Sequence, residues 1–234
     1  MSLSAPIYVL KRKAKQLSRA SNIPLHDALD RIAVQEGFTR WSLLAAHAAS
    51  VTTAAKLFAR LTAGDLLLIG ARPGQGKTLL SLQLAVEAMQ AGRRSAYFTL
   101  EYGEREVASR FNALGVTSEA YRNLFTLDCS DAISADHIIL RLMDAPAGTL
   151  VVVDYLQILD QDRSKPPLAA QVQALRTFAR ERGLLFVFVS QIDRSFDPDV
   201  KPCPDVGDVR LPNPLDLSLF SKTCFLHGDT VCFT

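Results

Sequence analysis

The sequence contains no apolar run close to the roughly 20 residues that a helix needs to cross a bilayer. Its first residues also lack the basic and then apolar order of a secretory signal peptide. The net charge is only +2, so the overall electrostatic field does not by itself indicate a polyanionic partner. From these absences we expect a cytoplasmic protein with no membrane partner.

Cysteine is scarce as well, with four residues in the 234-residue chain and none in a Cys-x-x-Cys pair. Cys203, Cys224 and Cys232 could be combined with His227 into a zinc site. The spacing of these residues, however, fits no common zinc pattern. We therefore expect reduced intracellular thiols.

Apolar residues make up 48% of the chain, which is enough for one large domain, with or without a small appendage. Residues 1–50 differ from the rest, because a basic run is followed by short helical patterns, the last of which begins at Thr39-Arg40-Trp41 and runs to about Ala49. A small, polar segment at 50–55 is typical of a joint, and we assign residues 56–234 to a second domain. The basic run either contacts nucleic acid or forms a solvated helix face. Its members are Lys11, Arg12, Lys13, Lys15 and Arg19.

Strand-like and helix-like segments alternate from Leu66 onward, which is the pattern of right-handed βαβ units. Two strand candidates are continuous apolar runs, as expected for strands buried on both faces of a parallel sheet. We therefore predict an α/β fold, a mostly parallel sheet flanked by helices, preceded by a small all-α unit. The strand candidates are 66–70, 95–100, 124–128, 149–153 and 184–190; the helix candidates are 77–91, 104–114, 134–144 and 168–182. Residues 222–234 are predicted to form a hairpin that turns at His227-Gly228-Asp229.

The segment Ala71-Arg72-Pro73-Gly74-Gln75-Gly76-Lys77-Thr78 lies between a strand and a helix candidate, which is the layout of a nucleotide-binding P-loop. Backbone N–H groups of such a loop, with the positive end of the helix, hold phosphates. Lys77 is expected to reach the β- and γ-phosphates, and Thr78 to place its hydroxyl on Mg²⁺. The usual spacing asks for glycine at 71, whereas this chain has Ala71 and places Gly70 one step earlier. The predicted phosphate-binding residues are Arg72, Pro73, Gly74, Gln75, Gly76, Lys77, Thr78 and Leu79.

Two carboxylates follow predicted strand ends, where the active groups of a parallel sheet gather. Asp154 is predicted to hold Mg²⁺ together with Thr78; the alternative is a residue that only starts a turn. Glu101 is predicted to be the base that orients the attacking water. Glu104 competes with it for the role of an acid at a helix N-terminus.

Gln191 follows the strand candidate 184–190, and Ser190 lies beside it. A neutral amide at this place can donate to the γ-phosphate and relay its loss to the loop that follows. The alternative is a polar residue in a turn at the strand end. With Lys77 and Glu101, Gln191 completes the predicted catalytic set.

Four segments, in order, resemble the RecA-like motor domain of DnaB-type replicative helicases: Ala-Arg-Pro-x-x-Gly-Lys-Thr, Phe-Thr-Leu-Glu, Val-Asp-Tyr-Leu-Gln and Ser-Gln-x-x-Arg-Ser. The resemblance covers residues 64–226, and alanine at position 71 is itself typical of that family. It implies ATP and Mg²⁺ as cofactors, and single-stranded DNA and further copies of the chain in a ring as partners. It also implies two Walker A residues, a catalytic base, a Walker B carboxylate and a sensor, which are Lys77, Thr78, Glu101, Asp154 and Gln191.

The sequence departs from this family in two places. Asp208-Val209-Arg210 resembles an Asp-Leu-Arg of the family, but of the acidic stretch that follows there only Asp216 is kept. A family strand with Lys-x-Arg, which reaches the γ-phosphate of a neighbouring subunit, has no counterpart before Thr234. From this we expect slow hydrolysis, or an arginine finger from Arg194, Arg210 or a partner protein.

Two functions stay open on this evidence. The first is an ATP-hydrolysing DNA helicase-type motor that acts on single-stranded DNA in replication or repair, and the motif set favours it. The second is a non-motor regulatory ATPase of the RecA/KaiC type, completed by a partner protein, with residues 1–50 as the partner-binding unit. The segment 193–216 favours the second, because it holds six acidic and three basic residues. Intact Glu101 and Asp154 argue against a third reading, a module that binds nucleotide without turnover.

Overall fold

The computed structural model describes residues 3, 5, 7–116, 122–160, 165–211, 213–228 and 230–234, without the side chains of residues 8 and 49–52. Contacts within the chain divide it into two compact units, residues 1–56 and residues 57–234. Within the described ranges, every helix is too short or too polar to cross a lipid bilayer.

The first unit contains α1 (Ile7–Ser21), α2 (Leu25–Gln35) and most of α3 (Trp41–Phe58). Each helix contributes apolar side chains to one small core. The Oδ1 atom of Asp30 in α2 accepts a hydrogen bond from the Trp41 N–H at 2.7 Å, which fixes the start of α3. The buried core residues are Leu10, Ala14, Ala28, Ile32, Ala33 and Leu44.

The third helix is longer than the sequence pattern predicts. The expected end near Ala49 is wrong, and the expected joint at 50–55 lies inside α3. The segment Trp41–Phe58 holds six alanines and neither glycine nor proline. Because alanine favours a helix and no helix-breaking residue interrupts the segment, a small, polar composition alone does not end the helix.

The second unit is built on a sheet of seven strands: β1 (Leu66–Ala71), β2 (Ser95–Thr99), β3 (Phe125–Asp128), β4 (Leu150–Asp154), β5 (Leu185–Gln191), β6 (Lys222–His227) and β7 (Thr230–Phe233). Their order across the sheet is β3-β2-β4-β5-β1-β6-β7. The first six pair in parallel, and β6 pairs antiparallel with β7 as the predicted hairpin. The predicted turn residue Asp229 lies outside the described residues. The α/β prediction is confirmed.

Four helices alternate with these strands: α4 (Lys77–Gln90), α5 (Glu104–Ala113), α6 (Ala135–Arg141) and α7 (Leu168–Arg182). All four agree with the predicted helices within three residues at each end. Short 3-10 turns occur at Leu156–Asp160, Val206–Asp208 and Leu217–Leu219. The segment after β5 is therefore not without structure, although it contains no long helix or strand.

The order of the strands brings together the strand ends that carry the predicted site residues. Every residue of β1, β2 and β4 is buried, because side chains cover both faces of the sheet. Strands β2, β4, β5 and β1 are consecutive neighbours, so their carboxyl ends meet at one edge. The loop after β1, Glu101 after β2, Asp154 at the end of β4 and Gln191 at the end of β5 all lie there.

Candidate functional site

The loop between β1 and α4 ends in an anion-binding geometry. Gly76 caps α4 with a φ of 83°, in the left-handed region that favours glycine. The first helical bond runs from the Leu80 N–H to the Gly76 carbonyl at 2.9 Å. Within the described part of the chain, no carbonyl accepts a hydrogen bond from the N–H groups of residues 76–79. These donors and the positive helix end together suit a phosphate.

The glycine that stands one position early has a packing role. A Cβ atom on Gly70 would lie 2.6 Å from the ring of Phe225 in β6, which is too close for any other residue. Ala71 is fully buried and pairs with Gln191 of β5 on one side and with Leu226 of β6 on the other. Close strand packing therefore requires glycine at 70, whereas position 71 accepts a methyl group.

Two side chains of the predicted phosphate loop anchor it to neighbouring segments. The Arg72 guanidinium donates to the carbonyl of Arg194 at 2.9 Å and to the carbonyl of Phe196. It also lies over the Phe196 ring, 5.4 Å from the centroid. Gln75 Oε1 accepts from the Gly228 N–H at 2.8 Å. The loop therefore presents backbone, not the Arg72 and Gln75 side chains, to a phosphate.

A buried carboxylate lies at the centre of the site. Asp154 is 0% exposed, and Lys77 and Thr78, which open α4, are each 8% exposed. The Tyr97 hydroxyl donates to Asp154 Oδ2 at 2.6 Å. Oδ1 of the same carboxylate has no hydrogen-bond partner among the described residues. Because buried polar atoms are nearly always paired, this oxygen is suited to a ligand such as a cation.

The charges around Asp154 oppose one another. Burial raises the pKa of the Asp154 carboxyl above its usual range, and the negative charge of Glu101 raises it further. The hydroxyls of Tyr97 and Thr78 and the Lys77 ammonium act in the opposite direction. A divalent cation beside the carboxylate would stabilise its ionised form in the same way as Lys77 does.

The sequence interpretation missed Tyr97, which holds this carboxylate in place. Its hydroxyl lies 2.9 Å from Ser81 Oγ, which donates to the carbonyl of Thr78 at 2.8 Å. Burial and the neighbouring charge of Asp154 raise the pKa of Tyr97 well above its ordinary value, so the phenol keeps its proton. A chain of polar groups thus connects α4 to β4. One signal could have revealed it, the tyrosine between Ala96 and Phe98 in the middle of β2.

The structure shows which of the two neighbouring acids, Glu101 and Glu104, stands at the helix N-terminus. Glu101 follows β2, and its N–H donates to Thr99 Oγ1 at 3.0 Å. Thr99 pairs directly with Asp154 across β2 and β4, and the Glu101 charge acts on the Asp154 pKa. Glu104 instead opens α5, where acidic residues stabilise the helix N-terminus. Glu101 is the acid that lies beside Asp154.

Gln191 lies where β5 meets the segment that carries Arg210. As the last residue of β5 it pairs with Ala71, the last residue of β1. Its carbonyl accepts the Arg210 N–H at 2.8 Å. The Gln157 amide contacts Ser190 Oγ at 3.2 Å and donates to the Arg210 carbonyl at 2.8 Å. Arg210 is therefore bonded directly to the predicted sensor, and through Gln157 to Ser190 beside it.

A cavity of about 280 Å³ opens at this junction. Its lining residues come from the segment just after β4, from the end of β5 and from the segment after β5. They are Tyr155, Gln157, Gln191 and Arg210.

The aspartates of the segment 193–216 mainly serve its own backbone. Four of them accept a hydrogen bond from the N–H two residues ahead, which is the geometry of an Asx turn; they are Asp193, Asp197, Asp205 and Asp216. Lys201 forms ion pairs with Asp205 at 2.8 Å and with Asp208 at 2.5 Å. Of the three basic residues in this segment, only Arg194 and Arg210 are exposed and outside an ion pair within the described residues.

Two of the cysteines considered for a zinc site, Cys203 and Cys224, have protonated thiols. All four are free of disulfides, and Cys203 Sγ donates to the Phe225 carbonyl at 3.6 Å. Burial raises the pKa of Cys203 and that of Cys224 to about 12 in each case. No group of three or more metal-ligating side chains occurs among the described residues.

The sequence model of the AAA domain family matches residues 33–195. The chain belongs to this family. The matched stretch begins within α2 and includes the loop after β1, Glu101, Asp154 and Gln191.

Curated proteins with sequences similar to this chain include DNA repair and DNA replication proteins. The DNA repair protein RadA of Brucella abortus is 28% identical over 141 residues, covering 56% of this chain and 29% of that protein. The replicative DNA helicase DnaB of Helicobacter pylori is 23% identical over 201 residues, covering 70% of this chain and 41% of that protein. A probable plasmid replicative DNA helicase of Chlamydia trachomatis is 25% identical over 180 residues, covering 64% and 40%. The matched regions thus make up between 29% and 41% of these relatives.

Solved structures share the fold. A solved ATPase domain superposes with a TM-score of 0.59 at 19% identity, covering 72% of this chain and 71% of that one. A DnaB-like replicative helicase, described together with its interactions with primase, superposes with a TM-score of 0.61 at 18% identity, covering 96% and 68%. The resemblance to DnaB-type helicases is confirmed, and this AAA domain member has the RecA-like P-loop ATPase fold.

Proposed function

We propose that the second unit binds ATP with Mg²⁺ and hydrolyses it at the edge where β1, β2, β4 and β5 end. The observation that carries this proposal is the buried Asp154, which has one oxygen held by Tyr97 and the other without a partner among the described residues, beside Lys77 and Thr78. A structural ion pair would satisfy both oxygens within the protein. This carboxylate instead keeps one oxygen for a ligand.

The residues at this edge of the sheet fit a nucleoside triphosphate and its metal ion. The N–H groups of residues 76–79 and the Lys77 ammonium would hold the phosphates, while Thr78 and Asp154 would hold Mg²⁺. When bound, Mg²⁺ would neutralise charge on the phosphate oxygens. Arg72 and Gln75 keep the loop in place through their contacts with Arg194, Phe196 and Gly228.

Glu101 is the proposed base, and Gln191 the proposed sensor. Exposed Glu101 can accept a proton from a water molecule that approaches the phosphate, while its neighbour Asp154 is covered. The Gln191 side chain lies at the same edge of the sheet, and the Gln191 backbone carbonyl accepts a hydrogen bond from the Arg210 N–H. Loss of the γ-phosphate would therefore change the hydrogen bonding of the segment that carries Arg210.

We infer that the ATPase acts as a motor on single-stranded DNA, as a ring of several copies. Arg194 and Arg210 are the exposed cations beside the sensor, and phosphodiesters are their natural ligands. Residues 193–216 keep an acidic excess, so in this proposal the contact with the phosphodiesters is made by Arg194 and Arg210 alone.

One observation favours a second candidate, a regulatory ATPase that is not a motor. Lys201 is paired with Asp205 and Asp208. Among the described residues, the segment 193–216 therefore has only two unpaired cations with which to bind a DNA strand. In this candidate, hydrolysis would reorder the segment around Arg210 for a partner protein. Residues 1–50 would then be the partner-binding unit.

The test is the rate of ATP hydrolysis with and without single-stranded DNA, recorded together with the particle mass. We expect DNA to stimulate hydrolysis by a multi-copy assembly, and Arg210→Ala to lower the ratio of the DNA-stimulated rate to the basal rate. Arg182→Ala is the matched control, since Arg182 is an exposed arginine at the far end of α7. Slow hydrolysis by a monomer or dimer, at a rate that DNA does not change, would instead support the regulatory ATPase.

A further inference from the structure

The first unit carries most of the positive charge of the chain. Residues 1–56 contain eight basic and three acidic residues, a net charge of +5. Residues 57–234 contain 18 basic and 21 acidic residues, a net charge of −3. The small overall charge of +2 therefore hides a strongly basic unit next to an acidic one in sequence.

Four of the basic residues share one face of α1. At 3.6 residues per turn, Lys11, Arg12, Lys15 and Arg19 fall within an arc of about 100° and extend over about 12 Å of helix. All four are exposed. We call these four residues the α1 stripe; Lys13 lies on a different side of the helix.

The opposite face of α1 is used by the core of the unit. Leu10 is 1% exposed and Ala14 is 0% exposed, and Leu17 packs against the same cluster. This face contacts Ala28 and Ile32 of α2. Because the apolar face is already covered, α1 does not have the free apolar surface with which an amphipathic helix enters a membrane.

The α1 stripe is not neutralised within the unit. Helix α1 contains no acidic residue, and among the described residues none of its basic side chains forms an ion pair. Of the three acids in the unit, Asp30 caps α3 and Asp27 contacts His26. Lys15 is three or four residues away from Arg12, Lys11 and Arg19, and like charges at these spacings destabilise a helix.

We propose that the α1 stripe is a binding surface for the phosphodiester backbone of nucleic acid, separate from the ATPase site. A row of cations without counterions gains binding free energy by releasing ions from a polyanion. The stripe has no apolar or aromatic groups that would read bases, so recognition is of the backbone and not of the sequence. This inference does not depend on ATP binding or on the motor function proposed above.

The experiment uses the full chain without nucleotide or Mg²⁺. Binding to fluorescent single-stranded DNA and duplex DNA is measured across a series of salt concentrations. The stripe variant is Lys11→Gln/Lys15→Gln/Arg19→Gln. The control Arg31→Gln/Arg40→Gln/Lys56→Gln removes the same charge from exposed positions of the same unit. A second variant, Lys11→Arg/Lys15→Arg, keeps the charge of the stripe.

We expect the stripe variant to lose about tenfold or more of its affinity at low salt, and its slope of log affinity against log salt to fall by about 2 to 3. The control and the charge-keeping variant are expected to stay close to wild type. Circular dichroism should show unchanged helix content, because the substitutions remove repulsion and touch no core residue. Basal ATP hydrolysis should be the same in all variants.

Three results would overturn the inference. Equal losses of DNA affinity in the stripe and control variants would mean that DNA responds to the overall positive charge of the unit and not to the α1 stripe. Unchanged binding in the stripe variant would mean that DNA contacts another part of the chain. Stripe-dependent binding to anionic phospholipid vesicles or to an acidic protein, without binding to DNA, would assign the surface to that partner. If hydrolysis is absent but DNA binding depends on the stripe, the proposed ATPase fails while this inference stands.

Discussion

The polar groups of the two units differ in how they are held. In residues 57–234 most groups of the site are buried or bonded to named partners, as Asp154 is to Tyr97, while Glu101 is exposed. In residues 1–56 the cations of the α1 stripe lie exposed and form no ion pair within the described residues. A buried network depends on each atom, whereas an exposed row of charges acts as a sum. Single substitutions should therefore be severe in one unit and mild in the other.

The largest effect that this comparison predicts is that of Lys77→Ala. Lys77 is 8% exposed and lies beside Asp154, so its loss removes the main positive charge near the proposed phosphate site. We expect hydrolysis to fall on the order of 10³-fold and stabilisation by Mg-ATP against heat to disappear. Lys56→Ala, at an exposed position of α3, is the control. If Lys77→Ala still shows the wild-type thermal shift, the P-loop assignment is wrong.

The next effect is that of Glu101→Gln, which keeps the shape of the side chain and removes the base. Hydrolysis should fall on the order of 10²-fold while ATP affinity stays within the wild-type range. Glu104→Gln is the matched control, because Glu104 opens α5 and should retain activity. A quench-flow or steady-state assay beside a titration of ATP separates the two quantities. The reverse pattern, with Glu104→Gln inactive, would move the base to position 104.

A smaller effect is predicted for Tyr97→Phe. The variant removes the hydroxyl that bonds Asp154 Oδ2 at 2.6 Å, and keeps the buried ring. We expect a loss of roughly 1.5–3 kcal/mol in the free energy of unfolding, and about a tenfold rise in the Mg²⁺ concentration that gives half-maximal hydrolysis. Tyr102→Phe removes a nearby tyrosine hydroxyl that is not among the hydrogen-bond donors to Asp154 in the described residues, and serves as the control. A change in stability without any change in Mg²⁺ dependence would limit Tyr97 to a structural role.

The smallest effect concerns a carboxylate of the same unit outside the site. Burial acts to raise the pKa of Asp65, but hydrogen bonds from Thr62 and Ser221 and the charge of Lys222 hold it below its usual range. The ionised Asp65 carboxylate therefore stabilises the folded state above pH about 4, and this stabilisation is lost as the pH falls through the lowered pKa.

Asp65→Asn should cost roughly 1–3 kcal/mol in the free energy of unfolding at pH 7 and less at pH 3. Urea denaturation at the two pH values measures this difference. Asp144→Asn, at an exposed position, is the control and should change stability little at either pH. A cost for Asp65→Asn that does not depend on pH would mean that packing, and not the charge of the carboxylate, is responsible.

The sheet and its edge were predictable because each element has a local signal. The apolar runs of β4 and β5 indicate burial on both faces, and Gly76-Lys77-Thr78 indicates a phosphate-binding turn. Parallel strands place their carboxyl ends together, so Asp154 and Gln191 could be assigned to one edge before any distance was known.

The rest depends on contacts between residues far apart in sequence. Tyr97 and Asp154 are 57 residues apart, and Gly70 is fixed by Phe225 in a strand near the end of the sequence. No periodicity or motif contains such a pair. The end of α3 was missed for a different reason, since small, polar residues are compatible with both a joint and a helix.

The central claim is that Asp154 keeps one oxygen for the metal ion of a bound nucleotide. The most direct test is a titration of wild type and Asp154→Asn with ATP, each with and without Mg²⁺. We predict that Mg²⁺ tightens binding to wild type and has little effect on the variant. Without Mg²⁺, the variant should bind ATP at least as tightly as wild type, because a buried negative charge is gone. An equal effect of Mg²⁺ on both proteins would contradict the claim.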